Sequence, residues 1–352
     1  MNIKNQLINS KSSTFFIAEI GSNFDQSEKR VFKLIELAKK SGADAVKFQH
    51  YTAETLVSDH GFNSLDQTQT HQTNWSNTVF NTYKKAEFNL KWTEKVSMFC
   101  KELNLVFITS PYYLDVVNEL KDLVDGFKVG SGDITWLQMI ESLSETLKPL
   151  IIATGASTSS EVEMAVEKAT LHHENVSLLQ CNTNYQLLVD NYKHLNINVL
   201  KSYRRRYPNL TLGLSEHNKS NLPVLAAVSL GARIIEKHFT DDDKRDGPDH
   251  AFALTPIEWK NMVNQVRELE YILGSDEKKI EPNEISSSIV QKRAIRVNRQ
   301  IDAGEVIEES HLCFLRPAPP GSLKPSELNL VVGRQLNRSL NPGEHITKDF
   351  IR

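Results

Sequence analysis

Leu212-Gly213-Leu214-Ser215-Glu216-His217 and Ala232-Arg233-Ile234-Ile235-Glu236-Lys237-His238 are short apolar runs that each end in a histidine. Both read as β-strands, and the twenty-one positions from His217 to His238 leave room for one helix between them. Parallel strands joined by a helix place equivalent ends side by side, so the two imidazoles are expected to converge. Two neutral imidazoles would hold a metal with several positions open, which Lewis-acid chemistry needs. A lone histidine at a strand end is more often a hydrogen-bonded structural residue. The pairing, and the polar neighbours Ser215, Glu216, Glu236 and Lys237, set these two apart.

The same texture recurs outward from this pair. Runs rich in Ile, Val, Phe and Leu lie at 14–19, 44–49, 104–109, 126–130, 149–153, 177–181, 210–214 and 232–236. Segments of helical period separate them. Lys29 to Ser41 carries Val31, Leu34, Ile35 and Leu37 on one face, and Ser159 to Leu171 opens with a cap-like Ser159-Ser160-Glu161-Val162. Such alternation fits a closed barrel or an open doubly wound sheet. The strand ends decide between them: Glu19, Lys47 with Gln49, Ser110, Lys128 with Ser131 and Asp133, Thr154, Tyr185, Ser215 with His217, and Glu236 with His238. An open sheet lines its site only at the switch point, whereas a barrel gathers all eight ends around one mouth. The expected fold is α/β, a (β/α)8 TIM barrel.

The chain has 352 residues and a formal net charge of −3, which gives no global attraction to nucleic acid or to a membrane surface. Arg204-Arg205-Arg206 is read as a solvated helix end. Cys100, Cys181 and Cys313 are odd in number and widely spaced, which argues against a disulfide framework and a zinc knuckle and for a reducing compartment. Met1 to Gln6 lacks an apolar signal core, and no run of about eighteen apolar residues occurs. A cytoplasmic location is expected.

The connection from Tyr51 to about Phe88 is long and contains the polar stretch Gln67 to Trp75, expected to serve as a lid or partner contact. After Leu273-Gly274, the charged segment Ser275 to Pro282 reads as a linker. The expected boundaries are a barrel at 1–275, a linker at 276–290 and a small β-rich domain at 291–352. In that domain Ile301-Asp302-Ala303-Gly304-Glu305-Val306-Ile307 is echoed by Leu340-Asn341-Pro342-Gly343-Glu344-His345-Ile346, with glycine where a tight turn needs positive φ.

Lys128-Val129-Gly130-Ser131-Gly132-Asp133 offers an ammonium, a hydroxyl and two glycines that let backbone N–H groups approach a ligand. That combination suits phosphate. With Lys47, Ser110 and Ser215 at other strand ends, it points to an anionic, phosphorylated substrate. The carboxylates Glu19, Asp133 and Glu236 stand near the same mouth, either as acid–base groups or as partners of lysines. Alternation along the strand would send Glu236 and Lys237 to opposite faces.

Glu19-Ile20-Gly21-Ser22-Asn23, Val46-Lys47-Phe48-Gln49, Phe127-Lys128-Val129-Gly130-Ser131-Gly132-Asp133, Gly213-Leu214-Ser215-Glu216-His217, Glu236-Lys237-His238-Phe239 and Gly247-Pro248-Asp249-His250 resemble, in order, the motifs of the sialic acid synthase family. The twin Gly-Glu turns and Leu315-Arg316-Pro317 resemble that family's antifreeze-like SAF domain, a β-clip. The resemblance implies condensation of phosphoenolpyruvate with the open-chain aldehyde of an N-acylated hexosamine, N-acetylmannosamine or a 2,4-diacetamido-6-deoxyhexose, with release of phosphate. It implies that His217 and His238 bind a divalent metal, Mn2+ with Mg2+ or Co2+ as alternatives, and that Lys47, Ser110, Lys128, Ser131 and Ser215 hold phosphoenolpyruvate. Glu19, Gln49, Tyr185 and Asp249 would grip the sugar, with Glu19 or Asp133 as proton acceptor, and Arg316 would reach the sugar of the other subunit in a domain-swapped homodimer.

Phe24, Ala153, Gln186 and the tail turn Arg316 to Ser322 depart from the usual family pattern, so sugar preference does not carry over. Two rival readings are a synthase that makes a shorter keto acid from a phosphorylated aldose and a sugar-binding descendant without turnover. The tail opposes the first. Retention of Lys128, both histidines and the acidic groups opposes the second.

Overall fold

Eight strands close into a parallel barrel. Ahead of them β1 (Asn2–Ile3) and β2 (Gln6–Leu7) form an antiparallel hairpin. The barrel strands are β3 (Phe15–Glu19), β4 (Ala45–His50), β5 (Val106–Pro111), β6 (Gly126–Val129), β7 (Leu150–Ala153), β8 (Val176–Cys181), β9 (Thr211–Glu216) and β10 (Ile234–His238). Neighbours follow chain order, and β10 closes on β3 with His238 opposite Glu19. Each expected run forms a strand, though β5, β9 and β10 extend two residues further toward the mouth. This computed structural model describes residues 1–65, 72, 75, 77–185 and 189–352. They fall into two units, Met1–Gly274 and Ser275–Arg352.

Helices sheathe the barrel. The first, Glu28–Lys40, begins at Ser27, whose hydroxyl accepts the Arg30 N–H. It buries Val31, Leu34, Ile35 and Ala38, the i, i+3, i+4, i+7 stripe, and this leaves the expected Leu37 half-buried at the edge. Helix Ser159–Ala169 is capped by Thr158, one residue earlier than expected. The Thr158 hydroxyl accepts from Glu161 N while the Glu161 carboxylate accepts the Thr158 N–H at 2.7 Å, and this reciprocal box requires a three-residue spacing. The Arg204-Arg205-Arg206 run does end a helix, Val199–Arg206, with Arg205 and Arg206 exposed.

Two apolar layers follow from strand alternation. Outward residues such as Phe16, Val46, Phe107, Phe127, Ile152 and Ile235 pack against the helices. Inward residues Phe15, Ile17, Ala45, Val106, Ile108, Ile151, Leu179 and Ile234 fill the lower barrel, where the hairpin adds Ile3 and Ile8 as a floor. The Met1 ammonium fastens that floor by donating to Thr211 Oγ1 at 2.9 Å. Side chains toward the carboxyl ends of the strands are therefore held above an apolar plug.

In the second unit β11 (Ala294–Val297) pairs antiparallel with β12 (Leu312–Leu315). Ile295, Val297, Ile301, Ile307, Leu323, Val331, Leu336, Leu340 and Ile346 form its core. The two Gly-Glu turns match each other. Gly304 and Gly343 have φ of 85° and 89°, and the carboxylates of Glu305 and Glu344 accept the N–H of Asp302 and Asn341, three residues back. Ile301 and Leu340 then bridge the two units of the repeat. Part of the stretch expected as linker is ordered as helix Ile285–Gln291. Among the described residues no helix is long and apolar enough to cross a membrane.

Candidate active site

The inner face of β10 carries Ile234, Glu236 and His238, while Ile235 and Lys237 face out. The same period brings Glu19, Lys47, Gln49, Ser110, Lys128 and Ser215 above the apolar plug. There they form two buried ion pairs, Glu19–Lys47 and Lys128–Glu236, each at 2.5 Å. Lys47 also donates to Ser110 Oγ and Lys128 to Ser215 Oγ, both at 3.3 Å. Gln49 donates to Glu19 Oε1 at 2.7 Å, and Ser131 Oγ accepts the Gly155 N–H at 2.9 Å. Thus Glu236 pairs across the barrel with Lys128 and not with its chain neighbour Lys237.

These groups wall a cavity of about 280 Å3 at the carboxyl ends of the strands. The barrel residues expected to bind or react line it: Glu19, Lys47, Gln49, Ser110, Lys128, Ser131, Asp133, Tyr185, Ser215, His217, His238 and Asp249, with Glu236 beside them. Thr154 does not. Its hydroxyl turns outward to donate to the Leu179 carbonyl and to accept from Tyr203, because Ala153 takes the inward position. Arg316 is exposed in the second unit. Of the long connection, Leu56, Gln72, Trp75 and Tyr83 reach the cavity wall. Gln67 to His71, Thr73, Asn74 and Gln186 lie outside the described residues.

Burial divides the carboxyl groups. It raises Glu19 above the usual carboxylate range, with Lys47 opposing. Burial also pushes Glu236 up, but Lys128 and Lys47 outweigh it and the group ends below the ordinary value. Burial raises Asp133, half-buried at the cavity wall, to about 6, and raises Asp249 as well. Asp249 Oδ2 accepts the Ser22 N–H at 2.9 Å, which draws the loop after β10 toward the loop after β3.

His217 and His238 meet at the rim with ring centroids 5.5 Å apart. His217 Nδ1–H donates to the Asn182 carbonyl at 3.0 Å, and burial lowers its pKa to about 4, so Nε2 carries a lone pair at neutral pH. Tyr185 lies 4.2 Å from the His217 ring and Phe252 4.8 Å from the His238 ring, an aromatic wall around both imidazoles. Among the described residues no cluster of three His, Cys, Asp or Glu side chains suited to a metal occurs. Imidazole nitrogens are donors of the type a borderline divalent cation takes, so the neighbouring rings of His217 and His238 are the candidate ligands for one.

Residues 34–278 match the NeuB family and residues 292–352 the SAF domain. The chain belongs to the NeuB family, the nonulosonic acid synthases. It is 32% identical over 350 residues to the N,N'-diacetyllegionaminic acid synthase of Legionella pneumophila, covering 97% of this chain and 96% of that protein. Identity to the human N-acetylneuraminate-9-phosphate synthase is 26% over 338 residues, covering 96% and 92%. The crystal structure of N-acetylneuraminic acid synthetase from Leptospira borgpetersenii, in complex with citrate, superposes with a TM-score of 0.71 at 26% identity, covering 82% of this chain and 94% of that one.

This NeuB chain also lines its cavity with residues that motif reading passes over. Tyr112 and Cys181 are among them. Both obey the strand period, two residues beyond Ser110 and Leu179, so alternation carried to the strand ends would have found them. Burial keeps both as neutral hydrogen-bonding groups, the Tyr112 phenol well above its ordinary pKa and the Cys181 thiol above its own. Ser22 and Pro248, which stand inside the quoted motifs without an assigned role, come from loops, where no period exists to read.

Proposed function

We propose that this chain condenses phosphoenolpyruvate with the open-chain aldehyde of an N-acylated hexosamine to give a nonulosonic acid and phosphate. The observation that carries this reading is the single cavity in which Lys47, Lys128, Ser110, Ser131 and Ser215 stand beside the His217–His238 pair. The lysines and hydroxyls supply charge and directed donors for the phosphate and carboxylate of phosphoenolpyruvate. Gln49, Tyr185, Asp249 and Glu19 would hold sugar hydroxyls and the acylamino group.

A divalent cation held by His217 and His238, Mn2+ ahead of Mg2+ or Co2+, would supply Lewis-acid polarisation of the aldehyde oxygen. The residues do the rest. Lys47 and Lys128 orient the enol phosphate so that its C3 faces the aldehyde carbon. A new C–C bond forms and the former aldehyde oxygen takes up a proton. Water then adds at C2 and loses one proton to Asp133 or Glu19, after which the C2–O bond to phosphate breaks and the remaining C2 hydroxyl gives up its proton to the departing phosphate, leaving the C2 ketone. Asp133, with a pKa of about 6, would serve as a base whose conjugate acid still forms near neutrality.

A 2,4-diacetamido-6-deoxyhexose is favoured over N-acetylmannosamine, because the Legionella relative named for a diacetylated product shares more identity than the human one. Arg316 of a partner subunit, in a domain-swapped homodimer, would complete the sugar site. Phosphate release from phosphoenolpyruvate with Mn2+ tests the reading. Turnover is expected with N-acylated hexosamines and not with phosphorylated aldoses, and no turnover with any N-acylated hexosamine would refute it.

A further inference from the structure

Behind the two histidines, on the outer face of the barrel, Lys237 and Glu216 form an ion pair that leaves them only 1% and 3% exposed. They are Cα partners on the parallel ladder between β9 and β10, and each is followed by a histidine. Because β9 ends at Glu216 and β10 at His238, this pair is the last rung beneath the imidazoles.

The Lys237 ammonium does more than neutralise Glu216. It donates to the carbonyl of Asn218 and, at 3.4 Å, to that of Ser220. Glu216 Oε1 accepts the backbone N–H and the side-chain amide of Asn218 at 2.8 and 2.6 Å. All three ammonium donors are therefore spent on groups that flank His217 on both sides. An ion pair this deep carries a desolvation penalty for each ion, and an apolar pair of similar volume is often no worse for stability. What apolar packing cannot provide is a directed grip on the backbone at 218 and 220.

We propose that Lys237 and Glu216 are positioning residues for the metal site. They fix the chain leaving β9 so that the His217 ring stays on the Asn182 carbonyl and 5.5 Å from the His238 ring. This rests on the two-histidine metal site proposed above. Outer partners that orient ligands typically change metal affinity by about 10–100-fold when removed.

The test titrates the metal-free full-length chain with Mn2+, following the free-ion electron paramagnetic resonance signal, and measures phosphoenolpyruvate binding without metal in parallel. Lys237→Met keeps the stem and removes the donors. Its Mn2+ dissociation constant is expected to rise about tenfold or more while phosphoenolpyruvate binding stays within about twofold of the parent chain. If Lys237→Met does not fold, Glu216→Gln decides the matter, with a weaker loss in the same direction. A folded variant that binds Mn2+ as the parent chain does overturns the proposal, as does one that loses Mn2+ and phosphoenolpyruvate equally. A parent chain that binds no Mn2+ removes the metal site itself, and the proposal with it.

Discussion

Replacing Lys128 by methionine should cost the barrel much of its stability, and removing Glu236 as well should restore the stability but not the activity. Lys128 and Glu236 are 6% and 3% exposed and meet at 2.5 Å. Lys128→Met leaves Glu236 charged and buried, with Oε2 already lacking a hydrogen-bond partner among the described residues. Breaking such a pair costs about 3–5 kcal/mol. For the unit Met1–Gly274, an unfolding entropy of about 2.1 cal/mol/K per residue gives roughly 0.6 kcal/mol/K, so Tm should fall by about 5–9 °C. The double variant Lys128→Met/Glu236→Leu replaces both ions with apolar groups and should return to within about 2 °C of the parent chain. Burial favours protonating Glu236, yet the lysines hold it below the ordinary value of 4.5. The pair is thus fully charged at pH 7.5, and its contribution fades only as pH falls below that value. Calorimetric scans of the three chains at pH 7.5, with phosphate-release assays on each, make the measurement. A double variant no more stable than Lys128→Met would refute the coupling, and a double variant with full activity would refute the role of Lys128 in binding the substrate anion.

Asp133, raised to about 6 by burial, must be ionised to accept a proton. The logarithm of kcat/KM should therefore climb with pH up to about 6 and then level off, and a profile unchanged in Asp133→Asn would exclude it as the base. Gly21 has φ of 53°, and a Cβ there would sit 2.4 Å from Asp249 Oδ2. Gly21→Ala should raise the sugar KM well above any change in that for phosphoenolpyruvate, and parallel rises would contradict the placement of Asp249. Thr158→Ala removes a reciprocal cap on the barrel's outside and should cost about 1 kcal/mol with kinetics unchanged. A change in either KM would show that the helix start is coupled to the site.

Strand alternation makes most of the site legible without a structure. Glu19, Lys47, Ser110, Glu236 and His238 share a parity with inward apolar residues of their own strands, and Lys128 and Ser215 have the opposite parity to the outward Phe127, Leu212 and Leu214, so a barrel must aim them all at one space. The same rule corrects the reading of Glu216 and Lys237. Their nearness to the histidines in sequence suggests one polar cluster, but their parity sends them to the outer face, where they pair with each other. Loop residues obey no such rule. Asp249 reaches the cavity through a loop tied back by Ser22, an arrangement made by chain closure between β10 and β3 that only the family resemblance anticipated. Pairing between ions is equally hidden: composition supplies acids and lysines at the strand ends, but which acid meets which lysine depends on barrel curvature and register.

The two ion pairs also bear on how a polar layer would admit the anion of the proposed reaction. Glu19 and Glu236 balance Lys47 and Lys128, so the layer above the apolar plug carries no net charge before substrate enters. In the proposed reaction an entering phosphate would compete with these carboxylates for the ammonium groups. Burial raises Glu19 above its ordinary range, whereas at Glu236 the two lysines together outweigh burial. Both pairs are almost fully buried, so removing either lysine would leave a carboxylate without its cation, and a large stability loss is expected at Lys47 as at Lys128.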